Sequence, residues 1–68
     1  MNVTVNGEPR ELGAGATVAT VVEMLDVDPG GRGVAVALDG EVVSRGRWSQ
    51  TRLTEGSTVE VLAAIGGG

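Results

Sequence analysis

Two dipeptides constrain this chain more than anything else in it: Asn6-Gly7 and Asp39-Gly40, each set between short runs that read as strands. A two-residue turn needs positive φ at both central positions, which Asn, Asp and Gly tolerate best, so each dipeptide predicts a tight β-hairpin. Ahead of the first, residues 2–6 alternate, with Val3 and Val5 on one side and Asn2, Thr4 and Asn6 on the other, as in a half-buried strand. Residues 9–12 should return antiparallel, with Pro9 marking an edge strand because it has no N–H to donate, and with Leu12 pointing to the core. Around the second turn, residues 33–38 are nearly all apolar, which predicts a central strand or one with a covered outer face. Val34, Val36 and Leu38 are then the inward set, and Ala35 and Ala37 face outward. Glu41-Val42-Val43 pairs back as a short strand.

Between the hairpins lies one helical period. Val18, Val21, Val22 and Leu25 stand at i, i+3, i+4 and i+7, so they form one apolar face running to about Asp26, and Thr17 can cap its start. The valines are poor intrinsic helix formers, so such a helix needs a sheet to hold it. Asp28-Pro29-Gly30-Gly31 stops it. Those glycines do not read as a phosphate cradle, because they follow a helix and no lysine accompanies them.

The remainder is a crossover and a last strand. Residues 44–50 are irregular with room for one helical turn, and Leu53 should anchor the exit. Trp48, the only aromatic residue, is read as packing beneath this crossover rather than as a stacking platform for a ligand, since so small a chain needs its largest apolar side chain inside. After the turn Thr54-Glu55-Gly56-Ser57, alternation resumes over residues 58–63, with Val59, Val61 and Ala63 inward and Thr58, Glu60 and Leu62 outward. The chain then ends in Ala64-Ile65-Gly66-Gly67-Gly68. Three residues without Cβ can thread a narrow channel, so these glycines suit a substrate tail; they equally suit an ordinary frayed end. Residues 1–63 are expected to form the folded domain and 64–68 a flexible glycine tail.

Composition removes most other classes of function. With 68 residues there is room for one sheet and one helix, near the size at which a fold buries only about 60% of its unfolded surface. No histidine, cysteine, tyrosine or lysine is present, which removes the usual general bases, nucleophiles and metal ligands and argues against an enzyme or a metal site. A net charge of −4 disfavours nucleic acid. Neither a leader-like nor a membrane-spanning run is visible, and a cytoplasmic protein is expected.

An α+β order of strand, strand, helix and three further strands in so short a chain resembles the ubiquitin-like β-grasp fold: a mixed sheet of four to five strands packed on one helix, its first and last strands parallel at the centre. The chain further resembles the ThiS family, the sulfur carriers of thiamine biosynthesis. The matching motifs are Asn6-Gly7-Glu8, the run at 33–43, the Arg45-x-x-Trp48 element, Glu55-Gly56 and the terminal Gly67-Gly68, and they cover almost the whole chain. Ser44 stands where relatives often have proline, and Gly66 lies outside the two essential glycines. MoaD-like carriers of the molybdopterin pathway share fold and tail but lack Arg-x-x-Trp. A ubiquitin-like protein modifier would share the activation step.

The resemblance implies that the useful group is the Gly68 carboxylate. An adenylyltransferase related to ubiquitin-activating enzymes would use ATP to form an acyl-adenylate at Gly68. Sulfur from a persulfide donor would then give a thiocarboxylate for thiazole synthase to consume. No cofactor would be bound by the chain itself. Gly66 and Gly67 would be recognised in the partner's channel, and five extended residues would carry the carboxylate about 17 Å. Outward-facing Ala35, Ala37, Glu60 and Leu62 are the candidate docking face.

Overall fold

The computed structural model describes residues 1–28 and 30–63. Strand β1 (Asn2–Val5) turns through Asn6-Gly7 into β2 (Glu8–Glu11), and helix α1 (Val18–Met24) follows. Then come β3 (Val34–Leu38), β4 (Glu41–Val43), a 3₁₀ helix (Arg45–Gln50) and β5 (Thr58–Ala63). The sheet runs β2-β1-β5-β3-β4, with β1 and β5 parallel and every other neighbouring pair antiparallel. The last strand is therefore the centre of the sheet.

Both predicted hairpins form, with positive φ at both turn positions: 51° and 82° at Asn6 and Gly7, 49° and 86° at Asp39 and Gly40. The first residue of each turn also grips β5 through its side chain. Asp39 Oδ1 accepts the Thr58 N–H at 2.8 Å, while the Asp39 N–H donates to the Thr58 carbonyl. Asn6 Oδ1 accepts the Val61 N–H at 2.7 Å, and its Nδ2 donates to the Val61 carbonyl at 3.2 Å. Glycine at those first positions would relieve the backbone but forfeit these bonds, which accounts for Asn and Asp there.

Val18, Val21 and Val22 are buried against Val3, Val5, Val36, Val59 and Val61, so packing holds a helix whose residues do not favour it. A capping box starts it: the Thr20 N–H donates to Thr17 Oγ1 at 3.3 Å and the Thr17 N–H to Thr20 Oγ1 at 3.0 Å. The helix ends at Met24, two residues before the expected Asp26. Leu25 adopts extended angles and its N–H closes a tighter turn on Val22, which begins the chain's return toward the sheet. Ala63 keeps the inward phase of Val59 and Val61 but is exposed. Its partner across β3 is Val34, at the end of the sheet. A seven-residue helix covers only about 10 Å, whereas a six-residue strand runs about 20 Å, so the end of β5 projects past the core.

The crossover is built around Trp48, which is buried and donates its Nε1–H to the Val43 carbonyl at 2.9 Å. Arg45 Nη1 donates to the Gly30 carbonyl at 3.0 Å. A β-carbon on Gly31, whose φ is 75°, would meet Arg45 Cδ at 2.6 Å and Trp48 Cζ3 at 3.0 Å. The Arg45-x-x-Trp48 element and the glycines after the helix thus interlock, and the glycines serve close packing. Six residues of 3₁₀ helix form here, more than the single turn expected. Leu53 is buried, and its N–H bonds the Ala16 carbonyl at 2.9 Å, tying the crossover's exit to the helix start.

Candidate functional site

One face of the sheet carries the helix; the other is open. Register decides which side chains share the open face. Ala37 lies between Val42 on β4 and Glu60 on β5, Ala35 lies beside Leu62, and Thr4 lies beside Thr58. Alanine methyls are short, so the larger flanking side chains stand above them and a groove of about 440 Å³ opens along the sheet. Val42 and Leu62 form its apolar walls and are 81% and 72% exposed, unusual for large aliphatic residues on so small a body. Among the described residues Glu60 is its only charged lining residue, and Asn6 and Gly7 close one end.

The four predicted docking residues, Ala35, Ala37, Glu60 and Leu62, all line this groove. Val42 was missed. A three-residue strand has too little alternation to set its phase, but the two-residue turn at Asp39-Gly40 pairs Leu38 with Glu41 and so puts Val42 beside Ala37. Counting across that turn would have found it. Gly66, Gly67 and Gly68, with the whole tail 64–68, lie outside the described residues.

Among the described residues, no group of three or more metal-ligating side chains comes together, and the only buried polar or charged residue is Ser57. Its hydroxyl accepts the Thr54 N–H at 2.9 Å, which closes the turn before β5. Glu55 is the titratable group with a distinct environment. The Asn2 backbone N–H at 2.9 Å, helped by the Asn2 side-chain amide at 3.3 Å, holds its carboxyl below the usual glutamate range. That carboxylate is fully exposed and staples the start of β1 to the turn before β5, away from the groove lining. The described surface thus carries an open, largely apolar groove and no cluster of three or more metal-ligating side chains. No described helix is long and apolar enough to cross a membrane.

A five-stranded mixed sheet on one short helix, with its first and last strands parallel and the last at the centre, defines a ubiquitin-like β-grasp domain. The sequence model of the ThiS family matches residues 3–68, and the chain belongs to that family. Two solved structures from Geobacter metallireducens are similar to it. One is a crystal structure of a thiamine biosynthesis protein (ThiS), 38% identical with a TM-score of 0.76, the likeness covering all of both chains. The other is a solution NMR structure of a thiamine biosynthesis protein, 36% identical with a TM-score of 0.77, covering all of this chain and 88% of that one. A curated relative from Paramagnetospirillum magneticum, named thiazole synthase, is 37% identical over 68 residues. That match takes in the whole of this chain but only 20% of the relative's length.

Proposed function

We propose that this chain is a sulfur carrier of thiamine biosynthesis whose reactive group is the Gly68 carboxylate. The observation that carries the reading is the open apolar groove on the central strand of a ThiS-family domain, on the same strand that runs toward the terminal glycines. A small body with an open apolar groove, and with no cluster of metal-ligating side chains among its described residues, is suited to be presented to enzymes.

Chemistry at a carboxylate explains the need for activation. Sulfur attack on a free carboxylate would have to expel an oxide, so the carboxylate oxygen first attacks the α-phosphorus of ATP and pyrophosphate leaves. The resulting acyl-adenylate has AMP as a good leaving group. The terminal sulfur of a persulfide displaces AMP, and a thiol cleaves the acyl disulfide to leave a C-terminal thiocarboxylate. An adenylyltransferase supplies the ATP site; this chain supplies the carbonyl carbon and the surface by which it is held. Thiazole synthase is the proposed acceptor. Its support is the relative named for that activity, in which a segment matching this whole chain occupies part of a longer polypeptide.

Intact-mass measurement of the protein isolated from cells tests the reading. Replacing one carboxyl oxygen by sulfur adds about 16 Da, and this species should vanish when Gly67 and Gly68 are deleted. Large covalent conjugates without the sulfur species would instead identify a protein modifier. Unmodified protein under conditions of active thiamine synthesis would sink the proposal.

A further inference from the structure

The central strand outlasts its parallel neighbour, and a side chain makes up the difference. The Thr4 and Asn6 N–H groups of the β1 segment donate to the Ser57 and Val59 carbonyls, each at 2.9 Å. In an uninterrupted parallel ladder the next acceptor would be the carbonyl of residue 6 and the next donor the N–H of residue 8. Here the chain reverses at Asn6-Gly7, and Glu8 is already paired back onto Val5. The Asn6 carboxamide stands in for both missing groups, accepting the Val61 N–H at 2.7 Å and donating to the Val61 carbonyl at 3.2 Å. A carboxamide carries the donor and acceptor of a peptide group, so one side chain can extend the ladder by a rung.

We propose that Asn6 is a positioning residue for the reaction at Gly68, a role that rests on the sulfur-carrier reading. It keeps β5 hydrogen-bonded on its β1 side through Val61, seven residues ahead of Gly68. On the other side β5 pairs with β3 as far as Ala63. With the carboxamide in place the end of the strand is held from both sides. Without it, residues 60–63 are hydrogen-bonded to β3 alone and open more readily. Each residue released from the strand lengthens the tether between the docked body and the carboxylate, which lowers the effective concentration of that carboxylate in a partner's site. Turn chemistry alone does not require this residue, since glycine also adopts the positive φ of Asn6.

The test compares the full chain with Asn6→Gly, which keeps the turn and removes the carboxamide. Thr17→Ala serves as control, because it weakens the helix cap without touching β5. Amide exchange in the free proteins should show the Val61 N–H exchanging about tenfold faster relative to Val59 in Asn6→Gly, and unchanged in Thr17→Ala. Adenylation by the ThiS-activating adenylyltransferase with ATP, run well below the Tm of each variant, should show kcat about twofold lower for Asn6→Gly, the fall expected when a five-residue arm lengthens to about eight. KM for the carrier is read separately, because Asn6 also closes one end of the groove, and a rise in KM with kcat unchanged would assign Asn6 to docking instead. Unchanged kcat in Asn6→Gly, or an equal loss in Thr17→Ala, overturns the positioning role and leaves Asn6 a structural residue. Failure of the unaltered chain to be adenylated overturns the carrier reading and the positioning role with it. The exchange at Val61, which needs no partner, tells that result apart from a clip that does not hold.

Discussion

The Trp48 indole lies so close to Gly31 that a β-carbon at residue 31 would stand 3.0 Å from Cζ3 and 3.2 Å from Cη2. Such distances leave no room for a methyl group unless the indole or the loop shifts. The backbone at Gly31 also has φ of 75°, which costs any other residue strain. Gly31→Ala should therefore destabilise the fold by about 1–3 kcal/mol, seen as a lower urea midpoint with little change in m. A midpoint equal to that of the parent would mean that the loop yields freely and that Trp48 is not locked from this side.

Leu62→Glu should leave Tm nearly unchanged, because Leu62 stands on the open face and contributes little to the core. Its effect should appear in binding to the adenylyltransferase, weakened about tenfold or more through a charge placed in an apolar contact. Val42→Asp, on the opposite wall of the groove, should behave alike. Calorimetric titration showing parental affinity for both variants would remove the groove as the docking surface.

The carboxylate of Glu55 makes a pH-dependent contribution. Its folded pKa lies below its unfolded value because the Asn2 N–H and side-chain amide bind the charged form. The contribution is complete above the unfolded value and is lost as pH falls through the folded one. Full exposure makes it small and sensitive to salt. Glu55→Gln should thus lower Tm slightly at neutral pH, with the difference from the parent fading on the acid side of the ordinary glutamate range. A difference that persists unchanged at low pH would assign the effect to something other than this charge.

Deleting Gly67 and Gly68 should abolish adenylate formation while Tm stays within a degree or so, because every described core residue lies between Val3 and Val61. Gly67→Val should impair activation as well, by adding a branched side chain where a narrow channel must admit backbone. ATP–pyrophosphate exchange reads both variants, and normal exchange in the truncated chain would show that Gly68 is not the group activated.

Local chemistry in the sequence was enough for the elements and their order. Asn6-Gly7 and Asp39-Gly40 demand positive φ, Thr17 marks a helix start, and strict alternation over residues 58–63 predicts a strand, each by rules that act within a few residues. The outward set Ala35, Ala37, Glu60 and Leu62 was legible for the same reason, since side chains on a strand change sides at every residue. What only the tertiary structure decided depends on groups far apart in the chain. Val42 joins the groove through its register with Ala37, Gly31 must be glycine because Trp48 arrives over it, and Ala63 is exposed because the helix is shorter than the strand beneath it. Asn6 is the clearest case. Its sequence neighbours account for a turn, but its carboxamide bonds to Val61, and that pairing exists only once the first and last strands lie side by side.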